Sequence, residues 1–229
     1  MIVGFRPMRV LLLAMTLAAT NLNASAVRTN GAVVGEWTMD LDAAKKLAQK
    51  NNLPIILNFT GSDWCHWCIK IEEIVFSKTT WQDYAKTNAN LVTLDFPRRT
   101  KTVPEKWVER NNSLAVDYGV EGFPTLVVLD SDASTILGIT GATRGLSLEL
   151  FIKQFEAITK HSAFRVEAYL ATKPANGKEY KAAIDEYRTS SSAFNDWIDS
   201  RPLRNPENEK KFARMINRIR AARAKLSEF

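Results

Sequence analysis

Short apolar runs alternate with segments of helical spacing through residues 41–159, and this alternation most restricts what the 229-residue chain can fold into. A run of four to eight apolar residues between turn residues is typical of a buried strand, whereas apolar residues three and four apart are typical of a helix. Strands that alternate with helices favour an α/β sheet covered on both faces. The predicted strands are Pro54–Thr60, Leu91–Phe96, Thr125–Leu129 and Thr135–Ile139. The predicted helices between and around them are Leu41–Asn51, Asp63–Ala85 with a break near Ser77–Thr80, Glu105–Asp117 and Leu146–Thr159.

The fourth strand follows the third through a short turn, so these two strands are predicted to be antiparallel. After Phe164 only helical patterns appear, and helices are predicted at Lys178–Arg188 and Glu207–Leu226.

The distribution of charge changes near residue 160, close to the point at which the alternation of strands and helices gives way to helices alone. Residues 1–159 carry equal numbers of acidic and basic side chains, whereas residues 160–229 hold the whole net charge of +6. A neutral body with a basic tail indicates two parts. We expect an α/β domain at residues 27–160 and a basic, all-helical extension at residues 161–229.

The first 26 residues have the three-part pattern of a secretory signal peptide. Arg6 and Arg9 precede the apolar run Val10–Ala19, and a small-residue cleavage site ends at Ala26. The run is about ten residues long, short of the ~20 that a membrane-spanning helix needs, and an uncleaved anchor is the alternative. We expect cleavage near Ala26, no stable membrane insertion afterwards, and a secreted or periplasmic protein in a compartment where disulfides persist.

Cys65 and Cys68 are the only two cysteines, and they form one C-x-x-C. Two thiols cannot build a disulfide scaffold and fall short of a four-ligand zinc site, so no metal is expected. They follow a buried strand and open a helix, where a spacing of three puts both sulfurs on one side of the first turn.

The position of this pair indicates its chemistry. The partial positive charge of a helix N-terminus favours thiolate, and a protonated His66 would lower the thiol pKa further. Cys65 is expected to be exposed and to attack a substrate disulfide, after which Cys68 resolves the mixed disulfide. A static disulfide and a metal half-site are the alternatives.

Around these cysteines the sequence resembles the thioredoxin-like family. The stretch Asn58–Cys68 is similar to that family's strand, Trp-Cys-x-x-Cys turn and helix, and Tyr118–Thr125 is similar to its proline-containing entry into the next strand. The resemblance covers about residues 37–160. It implies a three-layer thioredoxin-like fold, in which helices flank a central mixed sheet, with the helical extension added. The Gly-Ser-Asp-Trp before the first cysteine is similar to secreted bacterial members.

The resemblance also implies a groove for substrate. In the family the proline, here Pro124, is cis and faces the cysteine pair, leaving the backbone of Phe123 to pair with an extended peptide. On its own, Pro124 would be read as an ordinary strand-entry proline. Trp64 and Trp67 flank the cysteines and are predicted to form an apolar lip that grips unfolded chains, although Trp64 could equally pack over the turn.

Two departures from thioredoxin affect the expected chemistry. His66 and Trp67 stand where cytosolic thioredoxins carry Gly-Pro, so thioredoxin's reducing potential does not transfer. Asn58 stands where thioredoxin has a buried aspartate, and an amide cannot accept the proton of the resolving cysteine. The proton would leave through water, or Glu72 or Glu73 would help. The simpler interpretation of the two glutamates is a solvated helix face.

The predicted C-terminal helix has apolar residues at the spacing of one docking face. The simpler interpretation is a solvated basic face that covers the core, and binding to a partner or a membrane surface is the alternative. Nucleic acid is not an expected partner of an exported protein. The apolar residues are Phe212, Met215, Ile216 and Ile219.

Together these observations predict a secreted thiol–disulfide oxidoreductase that acts on protein thiols and disulfides. A redox partner protein would supply or accept electrons, and the Cys65–Cys68 pair would replace any cofactor. Two alternatives stay open: a non-enzymatic partner-binding module of the same fold, and a Cu(I)-handling protein that uses both cysteines and His66. The direction of electron flow depends on the relative stability of the two redox forms, which the sequence does not give.

Overall fold

The computed structural model describes residues 27–200, 202–203 and 205–229, so the predicted signal peptide lies outside the described residues. Five strands form one mixed sheet in the order β1-β3-β2-β4-β5. β1, β3 and β2 are parallel, whereas β4 is antiparallel to β2 and β5 is antiparallel to β4. The strands are β1 (Trp37–Thr38), β2 (Ile55–Thr60), β3 (Asn90–Asp95), β4 (Thr125–Leu129) and β5 (Ile136–Gly141).

Helices cover both faces of the sheet and then continue beyond it, which confirms the predicted thioredoxin-like three-layer fold with C-terminal helices. A π-helical segment, Glu72–Phe76, follows α2, and a 3₁₀ turn, Thr159–His161, follows α5. The α-helices are α1 (Leu41–Asn51), α2 (His66–Ile71), α3 (Thr79–Asn88), α4 (Glu105–Asp117), α5 (Leu148–Ile158), α6 (Ala163–Ala171), α7 (Gly177–Asp199) and α8 (Pro206–Leu226).

Each face of the sheet has its own apolar core because successive strand residues point to opposite sides. In β2, Ile56 packs with residues of α2, α3 and α5, including the fully buried Trp81 and Phe151. Its neighbour Leu57 packs with the α1 residues on the other face. β2 and β3 are buried along their whole length, as expected for strands covered on both sides.

Side-chain caps fix where several helices begin. The Asp40 carboxylate accepts the Ala43 N–H at the start of α1, and Ser147 and Ser162 do the same for α5 and α6. Such caps satisfy backbone donors that a helix cannot pair internally.

The structure contains the predicted strands and helices of the sheet domain, although several of them begin or end at other residues than predicted. α1 and α4 have the predicted bounds, and the antiparallel β4–β5 pair is confirmed. The helix predicted over residues 63–85 is divided into α2, the π-helical segment and α3, with the predicted break at Ser77–Lys78. β1 was not predicted, because two residues are too few to show a periodicity.

The C-terminal helices differ more from prediction. α6 has no predicted counterpart, and α7 runs to Asp199 rather than ending at Arg188. The polar run Thr189–Ser192 hides the apolar period of α7, yet Ser190 and Ser191 are buried in the structure. Among the described residues, no helix is both long and apolar enough to cross a membrane.

α8 packs on α6 and α7 rather than on the sheet domain. Ala222 and Leu226 lie in one cluster with Val166, Tyr180 and Ile184. The predicted docking face therefore packs on these helices through Phe212 and Ile219, and Ala222 and Leu226 continue it towards the end of α8.

A buried carboxylate joins the extension to the sheet domain. Asp130 at the end of β4 accepts the N–H of Ala163 in α6 and pairs with Arg188 of α7 at 2.9 Å. The Tyr187 hydroxyl also donates to the carbonyl of Ile136, at 3.0 Å. The domain boundary near residue 160 stays a prediction.

Candidate active site

Cys65 and Cys68 lie where the sequence places them, directly after β2 and at the start of α2, and they form a disulfide. Cys65 is the N-cap of α2, and its Sγ accepts the N–H of Cys68 at 3.2 Å. The Gly61 N–H approaches the Sγ of Cys68 at 3.4 Å. Backbone donors therefore already point at both sulfurs.

The expected exposure of Cys65 is wrong for this disulfide-bonded form. Cys65 is 7% exposed and Cys68 is 3% exposed, so both residues are buried. Cys65 is still the more exposed of the two, which is the part of the expectation that holds. The disulfide draws both sulfurs into the first turn of α2, where they accept backbone hydrogen bonds.

His66 and Trp67 lie on the outside of that turn. The two rings meet edge to face with centroids 5.9 Å apart, and Trp67 is 43% exposed. The predicted apolar lip requires an exposed indole beside the disulfide, and Trp67 meets this requirement. The influence of His66 on Cys65 stays a prediction.

Trp64 packs over the turn rather than standing free. Its Nε1 donates to the carbonyl of Phe96 at 2.8 Å, and the Arg98 guanidinium lies 3.6 Å from the ring centroid. A Cβ on Gly61 would come within 2.6 Å of the indole, so this position needs glycine. Trp64 also meets the ring of Phe123, with centroids 5.8 Å apart, and so forms part of the groove wall.

The Phe123–Pro124 peptide bond is cis, as the family resemblance implies. Thr125, the next residue, opens β4 and lies opposite Phe59 near the end of β2. Because β2 leads into the cysteine turn, this register brings Pro124 and the disulfide to the same edge of the sheet. The Phe123 ring packs on Phe96 and Trp64 at that edge.

Asn58 and Glu72 line a cleft of about 460 Å³ together with Cys68. Asn58 is almost fully buried, and its Oδ1 has no hydrogen-bond partner among the described residues. Glu72 lies one helical turn after Cys68, and its N–H donates to the Cys68 carbonyl. The residue Glu72 keeps contact with solvent. The protein around its carboxyl group still removes part of the hydration that the charged form needs, and this desolvation raises the pKa of the carboxyl group.

Both glutamates are solvent-exposed, as the solvated-face interpretation expects, but only Glu72 also lines the cleft. Glu73 forms a surface ion pair with Lys70 at 3.1 Å. Asp95, the other carboxylate that lines the cleft, already accepts hydrogen bonds from the N–H and the hydroxyl of Ser62. Glu72 is thus the carboxylate of the cleft that no hydrogen bond to Ser62 occupies, and its part in moving the proton of Cys68 stays a prediction.

Sequence reasoning missed two aspartates that shape the site. Asp95 holds Ser62 in place, and Asp63 holds the loop that follows β3. The carboxylate of Asp63 accepts the N–H groups of Arg98, Arg99 and Thr100 at 2.6–3.0 Å. These hydrogen bonds lower the pKa of Asp63 to about 2, and the N–H of Arg98 makes the largest contribution to that shift. A carboxylate at the end of a buried strand is a signal that could have pointed to Asp95.

Within the described part of the chain, no three His, Cys, Asp or Glu side chains gather in a way that could hold a metal ion.

Comparisons with known proteins lead to the same fold. Residues 41–156 match the family model of a thioredoxin-like domain. The chain is 31% identical over 118 residues to "Disulfide bond reductase DsbH" of Chlamydia pneumoniae, which covers 52% of this chain and 70% of that protein. It is 22% identical over 227 residues to "Thioredoxin-related protein DsbJ" of the same organism, covering 90% of this chain and 64% of that protein. A solved structure of DsbH oxidoreductase aligns with a TM-score of 0.50 and 29% identity, over 58% of this chain and 91% of the other.

Proposed function

This chain belongs to the thioredoxin-like family, and from that premise we propose that it is an exported oxidoreductase that reduces disulfides of client proteins through Cys65 and Cys68. Family membership confirms the predicted class of enzyme, a thioredoxin-like disulfide oxidoreductase. The observation that carries the proposal is a C-x-x-C disulfide at a helix N-terminus, on the sheet edge that also holds Phe123 and Pro124.

The reaction moves two electrons from the cysteine pair to the client. The Cys65 thiolate attacks one sulfur of the client disulfide, forms a mixed disulfide and releases the first client thiol. Cys68 then loses its proton and attacks the Sγ of Cys65, which closes the Cys65–Cys68 disulfide and releases the second client thiol. A dithiol partner protein reduces the pair again.

The start of α2 supplies the activation that this step needs. In the reduced protein the N–H of Cys68 and the helix dipole both favour a thiolate on Cys65. Glu72 accepts the proton of Cys68, a role that the amide of Asn58 cannot fill.

The client lies as an extended segment beside Phe123, with the exposed Trp67 gripping apolar side chains next to the client cysteine. Export is supported by the signal-like pattern of residues 1–26, and client proteins with disulfides are found in an oxidising compartment. The reducing direction is supported by the name of the relative DsbH, a disulfide bond reductase.

Trapping of clients tests the proposal directly. Cys68→Ala should accumulate mixed disulfides because nothing resolves the first bond, whereas Cys65→Ala should accumulate few because the remaining thiol is the less exposed of the two and lacks the N-cap position that favours thiolate. The measurement is a non-reducing gel of each variant expressed in its own compartment, with folding confirmed by circular dichroism. A folded Cys68→Ala protein without dithiothreitol-sensitive adducts would favour the non-enzymatic binding module instead.

The redox equilibrium of the Cys65–Cys68 pair with a glutathione buffer tests the direction of electron transfer. A reductase should have a reduction potential below about −200 mV, whereas a value near the −120 mV of the oxidant DsbA would make the protein an oxidase.

A further inference from the structure

The loop at residues 97–104 places positive charge beside the disulfide. It contributes Arg98, Arg99 and Lys101, all of them exposed. In the part of the chain that the structure describes, none of these three side chains forms an ion pair with a carboxylate. We call this segment the cationic loop.

The cationic loop is held in a fixed place next to the cysteines. Asp63, two residues before Cys65, binds three consecutive backbone N–H groups of the loop. The pKa of Asp63 is lowered to about 2, so this anchor is ionised throughout the neutral pH range. Arg98 lies flat on the Trp64 ring, and Trp64 in turn contacts Phe123 of the client groove.

Basic residues outnumber acidic ones in the segments around the client groove, although residues 1–159 as a whole are neutral. The three segments around the client groove, residues 61–70, 97–104 and 119–124, contain four basic and two acidic residues, while two further carboxylates, Glu72 and Asp95, line the cleft beside Cys68. One of the two acids, Asp63, is already used by backbone donors. The basic residues are Lys70, Arg98, Arg99 and Lys101.

We propose that the cationic loop is a docking surface for acidic client segments, in which Asp or Glu residues near the client cysteine bind Arg99 and Lys101. The proposal rests on the proposed function and narrows its substrate class to disulfides with acidic neighbours. Exposed cations within a Debye length of the reacting sulfur raise the association rate of an oppositely charged segment, and salt screens the effect.

Arg99 and Lys101 allow a clean test because, within the part of the chain that the structure describes, their side chains form no hydrogen bond or ion pair. Asp63 binds only the backbone of Arg99, and the contact with Trp64 belongs to Arg98. Arg99→Gln/Lys101→Gln therefore removes two charges and keeps the loop anchored.

The matched control is Lys46→Gln/Lys50→Gln. Both lysines are exposed on α1, whose C-terminal end leads into the start of β2, whereas the cysteines follow the other end of that strand. The control removes the same charge far from the disulfide.

The assay measures kcat/KM for two disulfide peptides that differ only in flanking residues, Glu in one and Lys in the other. We expect the protein to reduce the Glu peptide about tenfold faster. The preference should fall to about twofold or less in Arg99→Gln/Lys101→Gln and at high salt, and should persist in the control. Equal rates for the two peptides in the unaltered protein, or a preference that survives in Arg99→Gln/Lys101→Gln, would overturn the proposal.

Two further probes separate docking from chemistry. A small uncharged disulfide should be reduced at the same rate by all three proteins, because it does not reach the loop. Peptides with serine in place of cysteine report docking alone, by fluorescence anisotropy, and the Glu version should bind more tightly than the Lys version. If no disulfide is reduced, the proposed function fails, whereas equal binding of the two serine peptides refutes the docking surface alone.

Discussion

Removing the carboxylate of Asp130 should detach the C-terminal extension from the sheet domain. Asp130 is almost fully buried, and it accepts hydrogen bonds from the N–H of Ser131, the N–H of Ala163 and the guanidinium of Arg188. Breaking a buried ion pair by removing one partner costs about 3–5 kcal/mol. The Arg188 side chain is 29% exposed and can be partly rehydrated, so Asp130→Ala should cost about 3 kcal/mol of unfolding free energy.

Asp130→Asn should be milder, at about 1 kcal/mol, because the amide keeps a hydrogen-bond acceptor for Ala163. The pKa of Asp130 supports this difference. Burial raises it despite the hydrogen bonds and Arg188, so the folded site binds a proton more tightly than the unfolded chain does. The contribution of Asp130 to stability is therefore largest at acid pH and declines as pH rises, and Asp130→Asn should lack that decline.

Equilibrium unfolding in urea, followed by circular dichroism, measures these costs. The control is Asp83→Ala, whose ion pair with Lys86 is exposed on both sides and should contribute less than about 1 kcal/mol. An Asp130→Ala cost no larger than that of the control would refute the reasoning. A double-mutant cycle of Asp130 with Arg188 should give a coupling of at least about 1 kcal/mol.

Three other changes test separate parts of the structure. Glu72→Gln should slow resolution by Cys68 about tenfold at neutral pH. In the unaltered protein this rate should rise with pH as the Glu72 carboxyl, whose pKa is raised, loses its proton, and Glu72→Gln should remove that rise. Glu73→Gln should keep both properties, and stopped-flow profiles that match for the two variants would contradict the role of Glu72. Phe151→Ala should cost ~3–5 kcal/mol in urea unfolding, because the ring is fully buried against other aromatic rings, and a cost below about 2 kcal/mol would argue against that packing. Burial lowers the pKa of His161, so the stability that it contributes is complete above the unfolded pKa of about 6.5 and is lost as pH falls. Thermal melts at descending pH should therefore show a smaller loss for His161→Gln than for the unaltered protein.

The chemistry of the site could be predicted from sequence because it depends on local order. A strand, a Trp-Cys-x-x-Cys turn and a helix follow one another within residues 55–71, and the periodicities of strand and helix are visible there. Pro124 could be placed at the site through the family resemblance of Tyr118–Thr125, whereas its position before an apolar strand alone predicts an ordinary strand-entry proline.

The contacts that surround the site could not be predicted, since they join residues far apart in the chain. Asp63 binds the backbone 35–37 positions later, and Trp64 donates to a carbonyl 32 positions later. The distinction between Glu72 and Glu73 also depends on the cleft, because adjacent helical positions look alike in sequence. The extent of α7 was hidden by its serines, which leave no apolar period to follow.

The backbone donors around the two sulfurs determine how a partner protein can distinguish the redox forms. The N–H groups of Cys68 and Gly61 already point at sulfur in the disulfide form. A thiolate accepts such hydrogen bonds more strongly than a disulfide sulfur does, so reduction should strengthen the existing contact between the N–H of Cys68 and the Sγ of Cys65. The turn should then keep one backbone shape through the catalytic cycle. An electron donor would then recognise the oxidised protein by the missing charge on Cys65 and not by a change in the backbone of the turn.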